Sequence, residues 1–219
     1  MKNKTLSYLL PLLVIFILAP GTLSSQSTNQ STDLDRKVEA FLQKNRNRWY
    51  DMNIPEADGK KMYDLIVDNG YTSALEIGTS TGHSGIWIAW ALSKTGGKLV
   101  TLEIDRDRHE TALKNFSEAG LSEYIDARLG DAHTMVPDLK GPFDFVFSDA
   151  DKGWYKNYFI AVDPKLKPGG CFTAHNVSER NSRYSGGQSD LLNYVRSLDN
   201  YETSVFSSGG GLMISYKKK

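Results

Sequence analysis

The sequence has little cysteine and no excess of charge of either sign. Cys171 is the only cysteine among the 219 residues, which excludes a disulfide within the chain. It lies in an apolar stretch, and we interpret it as a buried strand residue. Lys and Arg together number 26, as do Asp and Glu, so the formal net charge is zero. This balance argues against nucleic-acid binding, which depends on excess positive charge.

The longest apolar run lies near the N-terminus. Lys2 and Lys4 precede apolar residues 9–19, and small and polar residues follow. This order is typical of a secretory signal. The apolar run is also shorter than the roughly 20 residues that span a bilayer as a helix.

We therefore divide the chain into an N-terminal segment and one domain. Residues 1–25 are interpreted as a signal peptide that is cleaved between Ala19 and Gln26, or as an uncleaved anchor, and residues 26–32 as a linker. Either alternative places the domain, residues 33–219, outside the cytoplasm: periplasmic or secreted, or anchored on the non-cytoplasmic side. Contact with a membrane is expected only through the uncleaved segment.

The domain shows alternating helical and strand-like patterns. Helices are predicted over 33–49 and 57–69. Short apolar runs then recur, each before a helical pattern. These runs are residues 74–77, 98–102, 125–129, 143–147 and 171–174. Such alternation predicts a mostly parallel sheet.

The C-terminal part breaks this alternation. Two strand-like runs, 202–206 and 212–216, are joined by the glycine-rich residues 207–211. They predict an antiparallel hairpin. The predicted fold class is thus α/β, with a Rossmann-like, doubly wound, mostly parallel sheet of seven strands that ends in this hairpin.

A glycine-containing turn follows the first predicted strand. Gly78 and Gly82 allow the backbone to turn tightly and to approach a ligand closely. Ser84 then begins a helix whose free N–H groups face that ligand. The turn lacks the third glycine of G-x-G-x-x-G, which disfavours a dinucleotide-dependent dehydrogenase.

Acidic residues end the next three strands. Glu103 could accept hydrogen bonds from ribose hydroxyls, Asp131 could meet an adenine amino group, and Asp149 follows the fourth strand. Because the carboxyl ends of parallel strands share one edge of a sheet, these residues and Gly78 predict a single nucleoside site.

From Met52 to the C-terminus, the sequence resembles the cation-dependent small-molecule O-methyltransferases, which include the catechol and caffeoyl-CoA O-methyltransferases. The matching stretches are residues 52–55, 75–84, 100–105, 143–152 and 166–170. The resemblance implies S-adenosylmethionine as the cofactor. The cofactor-binding residues that it implies are Ile54, Glu76, Gly78, Ser84, Glu103, Ile104, Asp131, Ala132 and Asp149. The first four would surround the methionine part, and Asp131 with Ala132 would lie beside the adenine.

The resemblance also implies the catalytic residues. Asp149 and Lys152 keep the family spacing of a metal-binding carboxylate and a lysine that acts as base or substrate contact. The family places an Asp-Asn pair after the fifth strand to complete a Mg²⁺ site, but here the pair is His175-Asn176. Mg²⁺ binds imidazole poorly, so Asp149, His175 and Asn176 suit Mn²⁺, Fe²⁺ or Zn²⁺ better. Two alternatives remain: His175 is a metal-free acid or base, or it fills a decayed site.

The expected acceptor is a hydroxyl of a small, catechol-like aromatic molecule. The family carries a substrate-facing carboxylate near the last hairpin, which residues 207–211 lack. Acceptor contacts are therefore expected from a loop or from aromatic residues. The candidates are Arg180, Arg183 and Tyr184 in the loop, and Trp154, Tyr155 and Tyr158, whose alternative role is a helix face that covers the sheet.

The sequence leaves alternatives open for two histidines, for the function and for the oligomeric state. His83 and His133 are interpreted as helix-start residues, each with an alternative position beside the cofactor. The alternative function is an exported nucleoside-binding protein without turnover, favoured by His175 and by the export segment. A homodimer is compatible with the sequence.

Overall fold

The described part of the chain comprises residues 23–49, 52–179 and 186–219 of a computed structural model. Residues 1–22 of the predicted export segment (residues 1–25) and the loop residues Arg180, Arg183 and Tyr184 lie outside the described residues. Within the described ranges, no helix combines the length and the apolar character that crossing a membrane requires.

Two helices precede the sheet, α1 (Leu23–Asn45) and α2 (Glu56–Asn69). Helix α2 agrees with its prediction and ends at Gly70, which adopts a φ of 65°. The predicted bounds of α1 were wrong, because it begins at Leu23 rather than at Asp33 and ends before Trp49. Residues 26–32, which we interpreted as a linker, are therefore helical.

Seven strands form one sheet. They are β1 (Ser73–Ile77), β2 (Lys98–Glu103), β3 (Ile125–Leu129), β4 (Phe143–Ser148), β5 (Leu166–Ala174), β6 (Tyr201–Phe206) and β7 (Leu212–Lys217). Their order across the sheet is β3-β2-β1-β4-β5-β7-β6. All pairs from β3 to β5 are parallel, whereas β7 is antiparallel to both β5 and β6. The predicted fold class is confirmed.

Helices cover both faces of this sheet. They are α3 (His83–Thr95), α4 (Arg106–Ala119), α5 (Ala132–Asp138), α6 (Tyr155–Val162) and α7 (Gly187–Arg196). The central strand β4 shows why two faces are covered, because all six of its residues are buried. Phe145 and Phe147 pack against residues of α2 and α3, and Val146 packs on the opposite side with α6 and α7. A strand that is buried on both faces is typical of a parallel sheet.

The strand order reverses between β1 and β4, which are direct neighbours although β2 follows β1 in the chain. Ligands of doubly wound folds bind at the carboxyl ends of the strands at such a reversal. The turns after β1 and β4 therefore mark the edge of the sheet where a site is expected.

Candidate active site

The turns after β1 and β4 lie in direct contact. Gly78 has a φ of 97°, and a Cβ atom at this position would lie 2.7 Å from the carbonyl oxygen of Asp149. The backbone N–H of Asp149 in turn donates to the carbonyl of Ile77 at 2.8 Å. Glycine is therefore required here both by its backbone conformation and by the close approach of the second turn.

A cavity of about 530 Å³ opens at this edge of the sheet. It brings together most of the residues that the sequence predicted for the site. Those in its wall are Gly78, Ser84, Glu103, Ile104, Asp131, Ala132, Asp149, Lys152, His175 and Asn176. Two predicted cofactor residues, Ile54 and Glu76, are buried and do not line this cavity.

The carboxylate of Glu103 is held by two backbone groups. Its Oε2 accepts a hydrogen bond from Ser80 N at 2.7 Å, and its Oε1 accepts one from Asp105 N at 2.9 Å. Each carboxylate oxygen keeps further acceptor capacity. The arrangement fixes an acidic side chain in the cavity wall with room to accept hydrogen bonds from a ligand.

Asp131 begins helix α5, where its side chain accepts a hydrogen bond from His133 N at 2.9 Å. The His133 ring lines the cavity with Ala132 and lies 4.2 Å, centroid to centroid, from Trp154. His133 thus occupies both positions that the sequence left open, at the start of a helix and beside the predicted nucleoside site.

Glu76 lies directly beneath the glycine turn and is fully buried. Its Oε2 accepts a hydrogen bond from the Thr101 hydroxyl at 2.5 Å, whereas its Oε1 has no hydrogen-bond partner within the described ranges. Burial raises the pKa of Glu76 from 4.5 to about 8, against the hydrogen bonds from Ser84 and Thr101. A buried carboxyl oxygen without a partner is costly, and protonation, which the raised pKa favours, reduces that cost.

Asp149 and Lys152 are bonded to each other and to a buried phenol. Lys152 Nζ contacts Asp149 Oδ1 and donates to Tyr155 Oη at 2.9 Å. The Tyr155 hydroxyl lies 3.2 Å from Asp149 Oδ1. Burial, with the charge of Asp149, raises the pKa of this phenol far above its ordinary value. Tyr155 therefore stays neutral and acts as a hydrogen-bond donor to the carboxylate.

The aromatic residues proposed for the acceptor divide into two groups. Tyr155 and Tyr158 are buried against the sheet, as their alternative role as a helix face predicts, although Tyr158 also reaches the cavity wall. Trp154 is 39% exposed and packs beside His133. Trp154 is thus the most exposed of these three rings.

His175 directly follows β5, and both of its ring nitrogens face carboxylates. Nδ1 lies 3.1 Å from Asp149 Oδ2, and Nε2 lies 3.0 Å from Asp58 Oδ2. Burial alone would lower the pKa of His175, but the hydrogen bonds and charges of these two carboxylates outweigh it and raise the pKa from 6.5 to about 9. Only the charged imidazole can donate from both nitrogens.

Asp58 is the functional candidate that the sequence did not reveal. It lies in the first turn of α2 and has no exposed surface. In a sequence, an acidic residue in a first helical turn indicates no more than a favourable interaction with the helix dipole. Its contact with His175 spans 117 positions of the chain, so no local pattern predicts it.

Ile54 and His83 belong to a neighbouring cavity of about 810 Å³. His83 begins α3, as predicted, and its buried ring accepts a hydrogen bond from Trp87 Nε1 at 3.2 Å. Its Nδ1 must then carry the proton that bonds the Ile54 carbonyl at 3.1 Å. Burial lowers the pKa of His83 from 6.5 to about 4, so the ring is neutral.

Comparison with known proteins identifies the family. Residues 24–182 match the family model described as O-methyltransferase. This chain is similar to the catechol O-methyltransferase of Niastella koreensis, with 43% identity over 107 residues, 47% of this chain and 48% of that protein. It is also similar to caffeoyl-CoA O-methyltransferase 1 of Eucalyptus globulus, with 31% identity over 69% of this chain and 63% of that protein. The chain thus spans about half to two thirds of these curated relatives. It belongs to the O-methyltransferase family.

A solved structure agrees with the fold. The O-methyltransferase from Bacillus cereus, in complex with SAH, matches with a TM-score of 0.73 and 26% identity, over 89% of this chain and 97% of that one.

Proposed function

We propose that this chain transfers a methyl group from S-adenosylmethionine to a hydroxyl of a small, catechol-like aromatic acceptor. The observation that carries the proposal is the convergence of Gly78, Glu103, Asp131 and Asp149 on one cavity at the point where the strand order reverses. Its volume of about 530 Å³ lies in the range of small-molecule sites. The Bacillus cereus relative, solved with SAH, supports the choice of cofactor.

The residues present fit this cofactor. Ser84 lines the cavity and hydrogen-bonds to the fully buried carboxyl of Glu76, so Ser84 and the glycine turn, rather than Glu76 itself, would meet the methionine part. Glu103 offers a fixed carboxylate to the ribose, and Asp131 with Ala132 forms the wall for the base. When bound, S-adenosylmethionine supplies a methyl group on a positive sulfur, which becomes a neutral thioether as the acceptor oxygen takes the methyl group.

Asp149 and Lys152 then assist removal of the proton from the acceptor hydroxyl. Both line the cavity, and Asp149 is a carboxylate with electron pairs that can hold the proton lost by the acceptor hydroxyl. Lys152, bonded to Asp149 Oδ1, places a positive charge beside the developing oxygen anion. Met52 and Asn176 also line the cavity, and both are exposed, so the acceptor can enter beside them.

The predicted divalent cation at Asp149, His175 and Asn176 does not fit this geometry. Both ring nitrogens of His175 already face carboxylates. In the described parts of the chain, no cluster of three or more His, Cys, Asp or Glu side chains is arranged to hold a metal ion. The proposed reaction therefore uses only side chains of this chain and the cofactor.

Binding and turnover test the proposal separately. Calorimetry with the full chain is expected to show S-adenosylhomocysteine binding and no binding of NAD. Incubation with S-adenosylmethionine and a panel of catechols should then give methylated products by mass spectrometry. Binding without any product would favour the alternative, a nucleoside-binding protein without turnover. Absence of binding would refute the cofactor assignment.

We also propose that the domain acts outside the cytoplasm, on the basis of Lys2, Lys4 and the apolar residues 9–19. Mass spectrometry of the protein from fractionated cells checks this. A mature N-terminus between Ala19 and Gln26 in an extracytoplasmic fraction supports cleavage, an intact N-terminus in the membrane fraction supports the anchor, and an intact chain in the cytoplasm contradicts both.

A further inference from the structure

The ring of His175 joins two carboxylates from distant parts of the chain. Nδ1 faces Asp149 Oδ2 at 3.1 Å, and Nε2 faces Asp58 Oδ2 at 3.0 Å. The backbone N–H of Gly210 donates to the same Asp58 oxygen at 2.6 Å. We call the chain Asp58–His175–Asp149 the histidine bridge. It ties helix α2 and the β6–β7 loop to the turn after β4.

The histidine bridge engages both ring nitrogens of His175 and one oxygen of each carboxylate, whereas Asp58 Oδ1 is buried without a hydrogen-bond partner among the described residues. Imidazole binds a metal through a ring nitrogen, and both ring nitrogens of His175 already lie at hydrogen-bond distance from a carboxylate oxygen. Asp149 is equally occupied, because Oδ2 faces His175 while Oδ1 is bonded to Lys152 and Tyr155. A cation at this place would have to compete with His175 and Lys152 for the same carboxylate.

The glycine-rich loop packs against the Asp58 side of the histidine bridge, whereas Asp149 and His175 also line the cavity. A Cβ atom on Gly210 would lie 2.4 Å from His175 Nε2, and one on Gly209 would lie 2.2 Å from Asp58 Oδ1. The loop therefore covers the far side of the ring and the second oxygen of Asp58. Small divalent cations such as Mg²⁺ keep several water ligands, and such a hydrated ion does not fit under this cover, so a cation could approach the histidine bridge only from the cavity.

We propose that the histidine bridge closes the cation position, so that methyl transfer by this chain needs no divalent cation, and that Asp58 is the positioning residue that holds His175 there. In this arrangement, His175 and Lys152 fix Asp149 from both oxygens, and Lys152 supplies beside the acceptor oxygen the positive charge that a bound cation would otherwise supply. The part of the inference that concerns turnover rests on the proposed function, but closure of the cation position is measurable without turnover.

The first test uses the full wild-type chain after treatment with a chelator and desalting. The protein is equilibrated with Mn²⁺, Zn²⁺ or Mg²⁺ and desalted again, and its metal content and melting temperature are measured. We expect well below about 0.2 metal ions per chain and no cation-dependent rise in melting temperature. Retention of about one ion per chain, with a saturable rise, overturns the proposal.

Turnover gives an independent measurement. With a catechol that the chain methylates, we expect the rates with EDTA and with Mn²⁺ to agree within about twofold, whereas a loss of about tenfold or more that Mn²⁺ restores overturns the inference. Calorimetry with S-adenosylhomocysteine on the same sample separates the two proposals. Failure to bind it contradicts the proposed function, while the metal measurements still decide whether the position is closed.

Variants test which residues close the position. His175→Asp places three buried carboxylates together, so we expect its melting temperature to rise with Mn²⁺ or Mg²⁺, because a cation relieves their repulsion. His109→Asp on α4, outside the cavity, is the matched control and should show no such rise. A folded His175→Asp variant without any cation response contradicts the role of His175.

Asp58 is tested by the difference between two substitutions. Asp58→Ala leaves His175 Nε2 without its acceptor, and we expect this variant to retain Zn²⁺ after desalting. Asp58→Asn keeps an oxygen that can face the ring and should exclude Zn²⁺ as the wild type does. A general loss of stability would not by itself produce a difference in Zn²⁺ content between the two variants. Equal Zn²⁺ content in both variants and in the wild type overturns the positioning role.

Discussion

The backbone N–H of Ser80 donates a hydrogen bond of 2.7 Å to the Glu103 carboxylate and so ties the turn after β1 to the end of β2. A second hydrogen bond from Asp105 N holds the other oxygen, and the side chain is only 6% exposed. A carboxylate that is fixed in this way needs little rearrangement to bind a ligand. The nucleoside part of the proposed site is thus organised before any ligand arrives.

Replacement of Glu103 should weaken cofactor binding. Hydrogen bonds to charged groups contribute about 1.5–3 kcal/mol, so Glu103→Ala should weaken S-adenosylhomocysteine binding by about 10- to 100-fold. Glu103→Gln, which keeps the size and one acceptor, should lose less. Calorimetry measures both, with Glu110→Gln on the exposed side of α4 as the control. Wild-type affinity in Glu103→Ala would exclude this residue from the cofactor site.

Gly78→Ala should disturb both stability and the site. The substitution strains a backbone with a φ of 97° and places a methyl group 2.7 Å from Asp149 O. We expect a loss of about 2–4 kcal/mol in the free energy of unfolding and weaker cofactor binding. Gly96→Ala is the matched control, because its φ is 75° but no atom lies within 4 Å of the added methyl group.

Urea unfolding and calorimetry separate the two glycine effects. Gly96→Ala should cost about 1 kcal/mol, from backbone strain alone, and leave cofactor binding unchanged. If Gly78→Ala behaves no differently from Gly96→Ala, the close approach of the turns after β1 and β4 contributes nothing measurable.

The neutral ring of His83 should make the fold less stable in weak acid. Its pKa falls from 6.5 to about 4 on folding, because burial disfavours the charged ring. The contribution to stability is complete above pH 6.5 and is lost as the pH falls toward 4, since the unfolded chain binds the proton first. The full loss is about 3 kcal/mol, of which about 2 kcal/mol is reached at pH 5.

Urea unfolding at pH 7.5 and pH 5 measures this effect by comparison with His83→Gln. Glutamine can accept from Trp87 and donate to the Ile54 carbonyl but does not titrate. The wild type should therefore lose more stability than the variant between the two pH values. The comparison also cancels the contribution of His175 to the pH dependence of stability, because its raised pKa favours the folded state at lower pH in both proteins. Parallel losses would show that His83 is not a buried neutral ring.

The sequence predicted the sheet because its signals are local. Apolar runs mark β1 to β4 to within a residue at each end, and glycine and acidic residues mark the turns that follow. The start of β5 was predicted too late, at Cys171, because Pro168 and two glycines suggest a loop. In the fold, Leu166 pairs with Phe143 ahead of a register irregularity, so the neighbouring strand extends β5 backward.

The histidine bridge, in contrast, depends on contacts that no local pattern carries. His175 was recognised as a departure from the expected aspartate, but its two partners come from α2 and from the turn after β4. From the sequence alone, residues 207–211 predict only a turn that lacks a substrate-facing carboxylate. Their small size is what allows Gly209 and Gly210 to lie against Asp58 and His175. Packing of distant elements determines such contacts, and only the folded chain reveals them.

Loss of the Lys152 charge should impair turnover far more than cofactor binding. Lys152 Nζ is bonded to Asp149 and to Tyr155 in the cavity wall. Lys152→Met removes the charge beside the acceptor oxygen, and we expect kcat to fall by about 100-fold or more, with S-adenosylhomocysteine affinity within about threefold of the wild type. Lys152→Arg should recover part of kcat, because it keeps the charge with altered geometry.

The control for this prediction is Lys156→Met on α6, where the lysine lies over the Tyr194 ring and not in the cavity. It should leave both constants near the wild-type values. Product formation is followed with a catechol acceptor at saturating S-adenosylmethionine, so that a change in kcat is not confused with weaker cofactor binding. If Lys152→Met keeps wild-type kcat, the charge of Lys152 does not act on the acceptor. Proton removal would then fall to Asp149 alone, oriented by Tyr155 and His175.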